Sequence, residues 1–205
     1  MKCVVATRNQ DKLAEIKAIF TDLPIDLIAL DDFPRMRSVE ETGTTLQANA
    51  LIKARAVHRE TGMPAIADDT GLEVDTLSGA PGVLAARFAG PRADYQQNVE
   101  KLLAAMEHVP DGLRTARFRT CAAYVDDAQE MVAEGVVEGF ITREPRGGNG
   151  FGYDPVFQVK GTEQTFGQMT DEEKNRISHR AQAFRALHQL FIQLKISNEN
   201  KETPA

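Results

Sequence analysis

The sequence predicts an α/β fold, and three observations carry that expectation. A short apolar run, Cys3-Val4-Val5-Ala6, leads through a polar turn into Leu13, Ile16, Ile19 and Phe20, which recur with helical spacing. A second apolar run, Pro64-Ala65-Ile66-Ala67, reads as a buried central strand that ends in Asp68-Asp69-Thr70-Gly71. A third stretch, 115 to 125, alternates cleanly and returns over 131 to 141 after Asp126-Asp127. That pair predicts a long antiparallel hairpin, distinct from the α/β part.

The Asp-Asp stretch organises the reading. Chemistry in open α/β sheets collects at the carboxyl ends of strands. Adjacent residues of an extended chain point to opposite sides, so one aspartate can face a cleft and the other its support. Gly71 is expected to turn the chain there. An Asp-rich turn with no chemistry is the plainer alternative.

Composition bounds the rest. A chain of 205 residues suits one domain, or two lobes sharing one sheet. A net charge of -6 gives no reason to expect duplex nucleic acid as a partner. Cys3 and Cys121 both lie in apolar runs and read as buried thiols of a reducing compartment. No leader pattern opens the chain, and no apolar run approaches the roughly 20 residues of a membrane span. A cytoplasmic location is expected. The last residues, 197–205, are poor in apolar side chains and are expected to be a disordered tail behind one domain over 1–196.

In chain order, Thr7-Arg8-Asn9-Gln10-Asp11-Lys12 joins a strand to a helix, the geometry that presents backbone N–H groups to an anion. Lys12 opposes the helix dipole there and so invites a partner such as a phosphate. Without glycines the turn is not a Walker loop. Residues 25 to 30 read as a second strand. Glu40-Glu41-Thr42-Gly43 is an acidic turn, and Thr44 with Gln47 reads as a capping box for a helix that buries Leu46, Ala50, Ala54 and Val57. Asn49 and Lys53 share a neighbouring face of that helix, one turn apart. Gly79-Ala80-Pro81-Gly82 is a tight turn, and Ala85 to Phe88 a short helical turn. Asp94 and Gln97 cap a third helix.

Arg146 to Pro155 has four glycines within 147–152, an open backbone with Phe151 and Tyr153 set in it. Such aromatics suit stacking on a flat base. Thr170 and Glu173 form another capping box, Lys174 follows, and Ser178 is a plausible cap of the last helix, with Phe184 and Leu187 inward. His179 and Arg180 then fall in its first turn, where positive charge is unfavourable unless an acceptor faces it.

Together these are two acids at a strand, a third before a helix, cations at two helix starts and a glycine–aromatic loop. Oxygen ligands without His or Cys clusters point to Mg²⁺, with Mn²⁺ as a possible substitute, and not to zinc. Acids, Mg²⁺ and Lys or Arg are the tools for breaking a phosphoanhydride. No Ser or Cys nucleophile with a base stands out, so direct attack by water is expected.

The motifs Thr7 to Lys12, Glu41-Thr42-Gly43 with Asn49-Ala50, Ala67 to Gly71, Gly79 to Gly82, Phe151 to Pro155 and Ser178-His179-Arg180 occur in order from residue 7 to 180. In them the chain resembles the inosine triphosphate pyrophosphatase family, and more narrowly its bacterial XTP/dITP diphosphatases. The resemblance implies a long, twisted mixed β-sheet with flanking helices in two lobes and a central nucleotide cleft. It implies hydrolysis of dITP, ITP and XTP to the monophosphate and pyrophosphate, which cleans the nucleotide pool, by a cytoplasmic homodimer. By the same resemblance Asp69 is the general base and a Mg²⁺ ligand, with Glu41 a second ligand. Thr7, Arg8, Asn9, Gln10, Asp11, Lys12, Thr70 and Lys174 would hold the triphosphate. Phe151, Gly152, Tyr153 and Asp154, with His179 and Arg180, would hold the base. Arg8 stands where glycine is frequent, and Thr70 where serine is. A nucleotide sensor without catalysis, and a Maf-like pyrophosphatase for modified pyrimidines, are the competing readings; the turn at Thr7 to Lys12 lacks the Ser-Pro-Arg-Arg-type start of the latter.

Overall fold

A computed structural model of the chain describes residues 2–21 and 25–202, with side chains as far as residue 193. Seven strands form one mixed sheet: β1 (Lys2–Val5), β2 (Asp26–Ala29), β3 (Ala65–Val74), β4 (Pro81–Gly82), β5 (Thr115–Val125), β6 (Glu130–Ile141) and β7 (Phe157–Val159). The order across it is β2-β1-β3-β5-β6-β7, with β4 lying beside β3. β1 runs parallel to β2 and β3, and the remaining pairings are antiparallel. Five α-helices cover the sheet: α1 (Gln10–Ile19), α2 (Leu46–Thr61), α3 (Tyr95–Ala105), α4 (Asp171–Ile177) and α5 (His179–Glu202).

Each helix forms where its apolar spacing and caps direct. Asn9 caps α1, accepting from the backbone N–H of Asp11 and Lys12. The expected capping boxes Asp94/Gln97 of α3 and Thr170/Glu173 of α4 are both present. The box expected at Thr44 and Gln47 is not: Thr45 caps α2, accepting from Ala48 N, and Ala48 has no side chain to reach back. Helix α5 continues to Glu202, into the tail expected to be disordered from 197, and residues 203–205 lie outside the described residues.

Three apolar clusters fill the two faces of the sheet. Leu13 and Ile16 of α1 join Phe184 and Leu187 of α5 on Ile66, Ala122 and Tyr124. Ala50, Ala54 and Val57 of α2 pack on the other face against Ala67, Cys121 and Ala123. Beyond the middle of the sheet, Leu72 and Phe118 meet Val99 and Leu102 of α3 and Phe157 and Phe166 of the far lobe. Burial of such side chains is the main stabilising term.

Two expectations about the sheet are corrected. The 115–141 hairpin is not set apart from the α/β part: β5 pairs with β3 from Ala65↔Val125 to Val74↔Ala116 in one continuous ladder. Nor does the central strand end at Asp68-Asp69. It runs on through Thr70 and Gly71 to Val74, because β5 supplies hydrogen-bond partners along its whole length. Gly71 makes no turn. A Cβ there would stand 2.8 Å from the Gly82 carbonyl oxygen, so its hydrogen lets β4 lie close.

It is β1 that ends. It pairs with β3 only as far as Val5↔Ile66, and β4 takes up the same edge at Leu72↔Gly82. Between them the edge of β3 from Ala67 to Gly71 has no strand neighbour among the described residues, and a cleft opens there.

Candidate functional site

The two aspartates leave β3 on opposite faces beside this gap: Asp69 lines the cleft, and Asp68 is buried behind it. On the α2 face, Asp69 Oδ2 accepts from Asn49 Nδ2 at 3.1 Å and Oδ1 from Lys53 Nζ at 3.2 Å. Lys53 also donates to Glu41 Oε1 at 2.7 Å, so one ammonium joins the two carboxylates. Asn49 Oδ1 accepts from Gly43 N at 2.8 Å, which ties the acidic turn to the same helix. Burial raises the Asp69 carboxyl above its ordinary value, against the pull of Lys53 and Lys12. Burial acts on Glu41 too, but Lys53 beside it prevails and lowers it.

On the α1 and α5 face, Asp68 is a counter-ion. Lys12 Nζ lies 3.2 Å from its Oδ2, and Arg180 Nε and Nη2 each donate to the same oxygen at 3.2 Å. Burial would raise this acid, yet Lys12 and Arg180 hold it well below the usual carboxylate range. The Thr70 hydroxyl is 2.6 Å from that of Thr120 and accepts from Arg180 Nη2 at 3.2 Å. Arg180 also pairs with Glu15 of α1, and Lys174 donates to Glu15 at 2.6 Å and to Asp154 at 2.5 Å. The cations at the start of α5 and in α4 are therefore offset by buried carboxylates.

The far end of the cleft is aromatic. His179 stacks on Phe118, centroids 4.5 Å apart and planes 16° off parallel. Burial first, then the nearby Arg180 and Lys174, push the imidazole well below its ordinary value, so it is neutral. Its Nδ1 has no hydrogen-bond partner within the described residues. Phe151 lies under Lys174 Nζ (4.9 Å) and the Arg180 guanidinium (5.5 Å).

Most of the expected site residues converge. Asn9, Lys12, Glu41, Asp69 and Thr70 line one end of the cleft, and Phe151, Gly152, Asp154, Lys174, His179 and Arg180 line the rest. Tyr153 also borders it, but as part of the core: it is 5% exposed and its hydroxyl donates to Ala85 O at 2.9 Å. Of the aromatics expected to offer a stacking face, only Phe151 is left partly open. Four members of the first turn do other work. The Thr7 hydroxyl accepts from Asn9 N, Arg8 reaches Asp31 (3.1 Å) and Met36 O (2.7 Å), Gln10 reaches Asp31 (2.8 Å), and Asp11 accepts from Tyr95. Lys174 sits between Phe151 and Phe166.

Sequence reasoning gave no role to Lys53, Asn49, Glu15 or Phe118. A signal existed for the first two: a polar pair one turn apart beside the small apolar stripe of α2. Nothing local marks Glu15 or Phe118, whose partners are distant in the chain.

An open strand edge with acids and cations at one end and stacked rings at the other defines a class: a two-lobed α/β protein with one cleft that is charged at one end and aromatic at the other. Comparison with known proteins narrows it. Residues 3–190 match the model of the Ham1 family. The chain is 49% identical over 197 residues to a dITP/XTP pyrophosphatase of Photobacterium profundum, covering 95% of this chain and 98% of that one. It is 47% identical over 189 residues to one of Streptomyces coelicolor, covering 91% and 94%. Among solved structures, a Ham1 protein from Coxiella burnetii superposes with a TM-score of 0.85 at 41% identity, covering 94% and 99%. The chain belongs to the Ham1 family.

Proposed function

We propose that this chain is a dITP/XTP pyrophosphatase, an enzyme that hydrolyses deaminated purine nucleoside triphosphates, ITP included, to the monophosphate and pyrophosphate. One observation carries the reading: a single cleft joins the Asp69–Lys53–Glu41 cluster to a neutral histidine stacked on Phe118. The names borne by its relatives in Photobacterium profundum and Streptomyces coelicolor support it.

The residues divide the work. Lys12 and the capped start of α1 face the phosphates. Asp69, raised by burial yet beside Lys53, takes a proton from the attacking water as the α–β phosphoanhydride opens and pyrophosphate leaves. The base lies toward Phe118 and His179. Hypoxanthine and xanthine present an acceptor at O6, where adenine presents an amine donor. Nδ1 of His179, protonated in one tautomer, would donate to the first and oppose the second.

The donor set suits Mg²⁺. Asp69 and Glu41 already share one cation, Lys53. No third His, Cys, Asp or Glu joins them among the described residues. One or two carboxylates completed by phosphate oxygens and water is the usual Mg²⁺ arrangement, and Mn²⁺ could substitute. When bound, the ion would neutralise phosphate charge. A homodimer rests on the resemblance alone, and sedimentation would test it. No described helix is long and apolar enough to cross a membrane.

The test is a panel of dITP, XTP, dGTP, dATP and dUTP with Mg²⁺, read by pyrophosphate release. Release from dITP and XTP well above the others is expected, as is a fall of about 10²-fold or more for Asp69→Asn. Orthophosphate as the first product would refute α–β cleavage, and intact nucleotide after hours would make the protein a sensor.

A further inference from the structure

The cleft is bridged by a side chain that none of the roles above uses. Tyr95 is the first residue of α3, placed by the Asp94/Gln97 box, and 42% of its surface is exposed. Helix α3 packs through Val99 and Leu102 into the far-lobe cluster, whereas α1 packs through Leu13 and Ile16 into the cluster under α5. The Tyr95 hydroxyl spans the two. It accepts from Asn9 Nδ2 at 2.8 Å and donates to Asp11 Oδ2 at 3.1 Å. Its ring lies 5.7 Å from that of Phe151, tilted by 37°. Asn9 in turn accepts from the N–H groups of Asp11 (2.9 Å) and Lys12 (3.1 Å) through Oδ1. One phenol therefore orients the amide that caps α1, and its ring meets the aromatic on the base side.

We propose that Tyr95 is a positioning residue that sets the phosphate turn against the base wall. It acts through Asn9: with Nδ2 held by the phenol, Oδ1 stays aimed at the N–H of Lys12, and the turn keeps the shape that receives the triphosphate. The bond joins groups on opposite sides of the cleft mouth, so it fixes the start of α1 against the start of α3. Its contribution goes to holding substrate more than to the bond-breaking step, because Tyr95 touches neither Asp69 nor Lys53. This inference rests on the triphosphate reading above.

Tyr95→Phe tests it, since the variant keeps the ring against Phe151 and deletes both hydrogen bonds. Tyr95 is half exposed, so the variant folds. Two bonds of ordinary strength lost from an exposed site predict a KM for dITP raised about threefold to tenfold, with kcat altered less than about twofold. The inhibition constant of inorganic pyrophosphate, which needs only the phosphate turn, rises by a similar factor. Amide hydrogen exchange over residues 9–12 quickens in the variant without any nucleotide, an effect that a passive surface tyrosine would not produce. Unchanged KM and unchanged exchange overturn the proposal, and so does a loss confined to kcat. The exchange measurement stands even if wild-type protein fails to release pyrophosphate, so failure of the parent reading and failure of this one are told apart.

Discussion

Gly135 of β6 is the position where a single methyl group should disturb the whole base end of the cleft. It faces Thr120 in the ladder, and the first turn of α5 lies directly on it. A Cβ at 135 would collide with the His179 carbonyl oxygen, and would stand 2.5 Å from Ala183 N. Both are backbone atoms, so no rotamer change relieves the clash and the helix itself must move. Overpacking of this kind costs about 1–3 kcal/mol. In a chain of this size each kcal/mol lowers Tm by about 2–4 °C, so Gly135→Ala should melt about 2–12 °C below wild type. The displaced turn carries His179 and Arg180, so KM for dITP should rise as well. Gly112→Ala is the control, because a Cβ there meets nothing within 4 Å; its stability should stay within about 0.5 kcal/mol of wild type. With no tryptophan in the chain, unfolding is followed by far-ultraviolet circular dichroism. A Gly135→Ala protein that melts with wild type and keeps its KM would show that α5 does not depend on the bare backbone at 135.

Two further outcomes follow from the charges. Lys53→Met removes the ammonium between Asp69 and Glu41; since that cation pulls Asp69 down against burial, its loss raises the Asp69 pKa, and the acidic limb of the pH–kcat profile should move to higher pH. An unmoved limb would separate Asp69 from the observed titration. Arg114→Met should lower stability by about 3 kcal/mol in denaturant unfolding, because Arg114, 3% exposed, donates to the carbonyls of Met106, Ile141 and Thr142, and of these only Met106 keeps a second donor among the described residues, the Val109 N–H at 3.1 Å.

How far the sequence discloses this molecule depends on how local each cause is. The caps at Asp94 and Thr170 were legible because both partners lie within one turn, and the one at Thr44 was misplaced because an adjacent threonine satisfies the same pattern. The run of β3 past Asp69 was not legible. Asp-Asp-Thr-Gly has poor strand propensity, and only its full pairing with β5, some fifty residues on, overrides that preference. Tyr153 read as an exposed ring because glycines surround it; the Ala85 carbonyl that anchors it is remote in sequence. The turn at Thr7 to Lys12 was recognised as a unit, yet the chain divides it, since Asp31 and the Met36 carbonyl draw Arg8 and Gln10 away while Asn9 and Lys12 stay in the cleft.

The two adjacent acids show why the site lies where β1 stops. Residues 68 and 69 face opposite layers of the sheet. At the edge left open between β1 and β4, Asp69 lines the cleft directly, while the buried Asp68 meets it through Lys12 and Arg180, which border it. Each acid keeps the electrostatics of its own layer. Asp68 meets Lys12 and Arg180, stays charged far into the acid range, and serves as their counter-ion. Asp69 meets one lysine and one asparagine, and burial raises it, which suits a group that must accept a proton. Neighbouring carboxylates driven apart in acidity by their surroundings are how a site assigns different roles to like groups. Here the alternation of β3 separates the acids and the strand that ends after Val5 leaves the gap, so lengthening β1 along β3 would close the cleft while leaving Asp69 on its own face.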